Sequence, residues 1–223
     1  MDLRDRTLNI FQKLITFYGY PEWRSPLPPL DELVSTILSQ NTNDRNRDFA
    51  FKALQKRFAT WEDVRDANPD EVIATIRSAG LANQKAPRIQ NILREITLER
   101  GELNLDFLHQ MDPTEAQNWL LQFKGVGPKT AAIVVQFSLG MPAFPVDTHI
   151  HRVTGRLGLI SKKVNAEQAH VLLGALFPTD TYYPAHLNLI RFGREVCKAR
   201  NPKCLQCPLQ DQCNYYAGLN SAQ

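Results

Sequence analysis

Four cysteines stand in the last 27 residues of this 223-residue chain, Cys197, Cys204, Cys207 and Cys213, and the chain has no others. The spacing C-x6-C-x2-C-x5-C lets the tail wrap one compact centre, whatever the rest of the chain does. Four thiolates suit either zinc or an iron–sulfur cluster. Structural zinc more often uses two C-x-x-C pairs well separated in sequence, which is not the pattern here. Arg191, Arg194, Lys198, Arg200 and Lys203 surround the cysteines against only Glu195 and Asp211. Such a basic patch suits the phosphates of DNA.

A second dense stretch runs from Leu121 to Arg152, LQFKGVGPKTAAIVVQFSLGMPAFPVDTHIHR. Asp112-Pro113-Thr114-Glu115 reads as a helix start, with Asp as N-cap, Pro at the first position and Glu at the third. Ala116, Trp119, Leu120 and Phe123 recur at helical spacing. Gly125-Val126-Gly127 is then a tight hairpin, and Pro128 opens a second helix that ends near Gly140. Helix, hairpin, helix over about residues 113–140 is the expectation. Two glycines let the backbone approach a ligand closely. A fresh helix start adds unpaired N–H groups and a positive dipole end, which suit a phosphate.

Lys129 falls in the first turn of that second helix. An amine, when neutral, is a nucleophile that can form a Schiff base. Asp147 follows 18 residues later and precedes Thr148-His149-Ile150, so it reads as the N-cap of a third helix. A helix of about 12 residues travels ~18 Å. The linker from Gly140 to Val146 can span ~23 Å, so the chain can bring Asp147 back beside Lys129. His149 and His151 read as packing or capping residues.

FKGVGPKTAAIVV followed by FPVDTHIHRV resembles the helix–hairpin–helix, glycine-proline-aspartate family of DNA glycosylases, in its endonuclease III form. The resemblance runs from the helix near Asp31 to Cys213. It implies Lys129 as the nucleophile and Asp147 as the essential carboxylate. It also implies a [4Fe–4S] cluster on Cys197, Cys204, Cys207 and Cys213. Hairpin residues Gly125, Val126 and Gly127 would contact DNA, with Arg194 and Lys198 beside the cluster. Pro128 departs from the family, where many members carry a basic residue. It suits a helix start but removes one phosphate contact.

An enzyme that extrudes a base must fill the gap and wedge the stack open. By position in the family, Asn41 fills the gap, with Gln40 a close rival, and Leu81 wedges. Lys85 is a further candidate phosphate contact.

The rest of the chain reads as helix. Pro26, Pro28 and Pro29 make residues 22–30 a crossing linker. Asp31 is the expected cap of the next helix, which ends in the polar loop Ser39–Asp44. Thr60–Asp63 and Asn68–Glu71 are capping-box patterns. Gly80 closes the second of these helices. Ile89, Ile92, Leu93 and Ile96 form another apolar stripe. No strand alternation of useful length appears. At 43% hydrophobic and net charge +3, the composition is that of a mildly basic globular protein with no membrane-length apolar run.

The expected fold is therefore all-α. The family resemblance divides it into a six-helix domain, 31–142, and a discontinuous one, 1–30 plus 143–223, flanking a DNA-binding cleft. It implies a bifunctional enzyme of base-excision repair. Such an enzyme removes oxidised pyrimidines through a lysine Schiff base and nicks 3′ to the abasic site by β-elimination. The partner would be double-stranded DNA holding a damaged base or abasic site. The enzyme would be a monomer in a prokaryotic-type cytoplasm, associated with the nucleoid. Two alternatives stand beside this: a family member directed at mismatched or modified pyrimidines, and a non-catalytic DNA-binding protein that senses redox state.

Overall fold

The computed structural model describes residues 2–161 and 163–220, and within them there are helices and no strand. The helices are α1 (Leu3–Tyr18), α2 (Pro29–Ser39), α3 (Asp44–Arg57), α4 (Trp61–Asp66), α5 (Pro69–Thr75) and α6 (Ala82–Arg100). They continue with α7 (Pro113–Leu121), α8 (Pro128–Phe137), α9 (Thr148–Leu157), α10 (Ala166–Leu176), α11 (Tyr182–Glu195) and α12 (Asn214–Asn220). Their contacts fall into two compact units, Pro26–Met141 on one side and Met1–Ser25 with Pro142–Gln223 on the other.

Unit Pro26–Met141 is built around α2. Leu30, Leu33, Val34, Ile37 and Leu38 are all buried, and so are the polar Glu32, Ser35 and Thr36. A helix buried on every face is a central helix. It packs on α8 and α3, and α7 packs on α8. Ile89, Ile92, Leu93 and Ile96 of α6 are at most 2% exposed, as their spacing predicts. Each such side chain contributes about 1.5–3 kcal/mol of burial.

The caps explain most boundaries. Thr60 with Asp63, and Asp112 with Glu115, form complete capping boxes. Asn68 caps only one way, accepting from Asp70 N, so that box is half made. Asp31 is not a cap: Pro28 and Pro29 start α2 two residues earlier, because proline's fixed φ suits the first turn. Asp31 instead accepts from Trp61 Nε1 at 2.7 Å. Gly80 closes a 3₁₀ turn, Arg77–Ala79, rather than α5 itself.

The other unit packs α1 and α9 on α11, with α12 on α9. Ile10, Phe11 and Leu14 of α1 meet Ile150, Val153 and Leu157 of α9 and Leu189 and Phe192 of α11 in its core. Cys197, Cys207 and Cys213 pack against the same core. Among the described residues no helix is long and apolar enough to cross a membrane.

Candidate functional site

The hairpin between α7 and α8 forms as its glycines predict. Gly125 has φ +97, a conformation disfavoured with a side chain. A Cβ built there would lie 2.4 Å from Cδ and Nε of Arg88. Gly127 is different. Its φ of −99 is ordinary and a Cβ there meets nothing within 4 Å, so nothing inside the chain requires a glycine. The open space over its backbone, at the N-cap of α8, is what an approaching phosphate needs.

Val126 is a correction to the expected DNA contacts. Its side chain is buried at 6% exposure, and its N–H is spent on Phe123 O at 3.0 Å. Neither end of the residue is left for a phosphate. Pro128 occupies the first position of α8 and Lys129 the next, half-buried.

The loop after α2 is bound to this hairpin. Gln40 Nε2 donates to Gly125 O at 3.3 Å, and Gln40 Oε1 accepts from Arg88 Nη1 at 2.7 Å. Gln40 is thus engaged within the protein, while its neighbour Asn41 is exposed with φ +54. Leu81 is 47% exposed with φ +52. Left-handed backbone costs a non-glycine residue roughly 1–2 kcal/mol. Among the described residues only Asn201, in the cysteine loop, shares this geometry. Two exposed side chains held on strained backbone fit the gap-filling and wedging roles.

Lys85 is the second correction. It is 1% exposed, and its Nζ donates to Leu38 O at 2.7 Å and Ala79 O at 2.8 Å. A side chain enclosed in this way cannot reach a phosphate. Burial, with help from the nearby Arg88 charge, holds its pKa below the usual lysine range.

Asp147 caps α9, its Oδ1 accepting from Ile150 N at 2.8 Å. The segment before it is anchored by histidines: His170 Nδ1 lies 3.0 Å from Phe144 O, and His186 Nδ1 2.9 Å from Pro145 O. His151 is bound to Val164 O and His149 to Arg152, so both play packing roles.

The four cysteines line one cavity with Leu157, Phe192 and Tyr215. Burial pushes the Cys207 thiol up to about 11; the Leu209 amide opposes this, and the other three sulfurs add to it. Burial raises the Cys204 thiol as well, and four thiolates gathered in one cavity need a cationic centre to balance their charge. The donor set and the shared cavity thus fit an iron–sulfur cluster. Sequence reading passed over Arg156, which holds this loop. Its Nη1 donates to Cys197 Sγ at 3.4 Å and Lys198 O at 2.7 Å, and its guanidinium covers the Tyr215 ring. The one hint was its i,i+4 spacing from Arg152, which donates to Cys197 O at 3.1 Å. Arg194 and Lys198 are exposed, and Arg191 pairs with Glu195 at 3.1 Å.

Comparison with known proteins agrees with these features. Residues 34–178 match the HhH-GPD superfamily of base excision DNA repair proteins, and residues 197–213 match the iron–sulfur binding domain of endonuclease III. Endonuclease III of Thermotoga maritima is 34% identical over 88% of each chain. That of Bacillus subtilis is 33% identical over 83% of this chain and 80% of its own. A non-covalent endonuclease III–DNA complex superposes with a TM-score of 0.84 at 26% identity, covering 99% of this chain and 100% of the other. A thermostable thymine-DNA glycosylase shares the fold, with a TM-score of 0.77 at 23% identity and coverage of 96% and 98%.

Proposed function

The chain belongs to the HhH-GPD superfamily of base excision DNA repair proteins, as a DNA glycosylase/AP lyase of endonuclease III type with an iron–sulfur site, and we propose that it excises oxidised pyrimidines from duplex DNA using Lys129 as nucleophile and Asp147 as its charged partner. The observation that carries the reading is the hairpin. Gly127 opens α8 with clear space over its backbone, and Lys129 stands in the first turn beyond it.

The chemistry follows from the groups. The damaged nucleotide is turned out of the stack, its gap filled by Asn41 and its neighbours wedged by Leu81. As the glycosidic bond lengthens, positive charge develops on the sugar, and the Asp147 carboxylate stabilises it. The Lys129 amine attacks C1′, and the base leaves with the bonding electron pair and takes up a proton. Ring opening gives a Schiff base between Lys129 Nζ and C1′. Removal of a C2′ proton then expels the 3′ phosphate and nicks the strand on that side of the lesion.

The cluster held by Cys197, Cys204, Cys207 and Cys213 would supply shape to the basic loop bearing Lys198, and no step above requires it. We assign the protein to work as a monomer on damaged or abasic duplex DNA, in the nucleoid of the cytoplasm. The test is borohydride trapping on duplexes that each carry one defined lesion. The expected result is a covalent complex on oxidised pyrimidines and abasic sites. Stronger trapping on mismatched thymine would redirect the substrate, and no trapping on any duplex would end the reading.

A further inference from the structure

Lys85 has a chemistry that the reaction does not use. It is buried, and its ammonium is satisfied by two backbone carbonyls with no ion pair among the described residues. Enclosing such a charge is costly unless hydrogen bonds compensate. Both carbonyls lie at the C-terminal ends of helical segments, Leu38 in the last turn of α2 and Ala79 closing the 3₁₀ turn. Helix ends leave these carbonyls without helical partners, and their negative dipole end favours a cation. One side chain from the first turn of α6 therefore joins two chain segments that are far apart in sequence.

The residues just beyond the two carbonyls give the join its meaning. Asn41 comes three residues after Leu38, and Leu81 two residues after Ala79. Both are exposed, both lack a glycine's freedom, and both are left-handed. Such backbone persists only where the surroundings over-determine it. We propose that Lys85 is a positioning residue: by gripping the Leu38 and Ala79 carbonyls it holds Asn41 and Leu81 at a fixed mutual spacing, ready to enter a duplex together. The proposal rests on the base-extruding reading given above. It makes Lys85 act through two loops rather than on DNA.

The test compares single-turnover excision of one lesion in a fully paired duplex and in an unpaired bubble, where no stack need be wedged. Lys85→Met keeps the bulk and removes both hydrogen bonds. Its rate on the paired duplex should fall about tenfold or more, as misplaced groups do. On the bubble it should stay within about twofold of wild type. In the Leu81→Ala background Lys85→Met should cost a smaller factor than it does alone, because the share acting through Leu81 is already lost and only the share acting through Asn41 remains. Lys85→Gln, which keeps one amide donor, is measured alongside, so that a Met variant that fails to fold leaves the comparison intact. Equal loss on both substrates, or no loss on the paired duplex, overturns the proposal. A wild-type protein inactive on both substrates would refute the functional reading itself, and the proposal with it.

Discussion

Gln40 donates its side-chain amide to the carbonyl of Gly125 at 3.3 Å, which ties the end of α2 to the turn before α8. The same side chain accepts from Arg88, whose stem lies where a Gly125 side chain would go. The loop after α2 and the hairpin are thereby one mechanical piece. This separates the two rivals for the gap. Gln40→Ala should lose a hydrogen bond to each neighbour and about 1–2 kcal/mol of stability, read as a lower Tm, with weaker DNA binding. Asn41→Ala should lower Tm less than Gln40→Ala does, since it loses only asparagine's tolerance of left-handed backbone, and it should slow excision from paired duplex. A reversal of these two phenotypes would make Gln40 the gap-filling residue.

The two hairpin glycines should respond oppositely to alanine. Gly125→Ala forces a positive-φ side chain against Arg88 and should cost at least roughly 1–2 kcal/mol. Gly127→Ala meets nothing in the protein and should change stability by less than about 1 kcal/mol, the usual spread at an N-cap. It should nonetheless weaken DNA binding, because the new methyl occupies the space a phosphate would take. Undiminished affinity in Gly127→Ala would remove the hairpin from the DNA contact.

Much of this was legible because the signals are local. The Asp112–Glu115 box needs two residues three apart, and both its bonds form. Asp147 as a cap and the buried face of α6 were legible for the same reason. Lys85 was not, since in sequence it is a lysine in a polar stretch. Its burial is decided by a carbonyl 47 residues away. Val126 misled because a hairpin motif does not say which of its amides the turn itself consumes. Asp31 misled because two prolines just upstream nucleate the helix first. Arg156 looked like any exposed helix arginine until the cysteine loop folded over it.

The cysteine loop predicts a brown protein with broad absorption near 400 nm and about four irons per chain if the four thiolates hold one cubane. Arg6 donates to Leu157 O and Gln212 O at 2.5 Å each, so this loop is also part of how α1 is held. Stripping the iron should therefore lower Tm as well as bleach the colour. A colourless protein with one stoichiometric zinc would refute the cluster.

Affinity for DNA should fall linearly in log K against log salt, as phosphate contacts require. Arg194→Ala or Lys198→Ala should weaken binding to every duplex alike and make that slope shallower. Loss confined to one lesion would instead mark base recognition.

The nucleophile and its partner should separate by kinetics. Lys129→Ala should abolish nicking and the borohydride-trapped complex while the protein stays folded, because alanine is well suited to a first helical turn. Lys124 is the nearest other amine in sequence, and it lies before the hairpin, outside α8. Asp147→Asn is a different kind of loss. An asparagine oxygen can still accept from Ile150 N, and Asn caps about as well as Asp, so α9 should keep its start. Only the charge is gone, and removing a preorganised electrostatic partner costs ~10²–10³ in rate. Base excision should drop by about that much. Nicking at a pre-formed abasic site should drop less, because its sugar opens to an aldehyde without any base departing. Equal loss on both substrates would mean that Asp147 serves the elimination as well. A trapped adduct persisting in Lys129→Ala would move the nucleophile elsewhere and leave the hairpin lysine as a phosphate anchor.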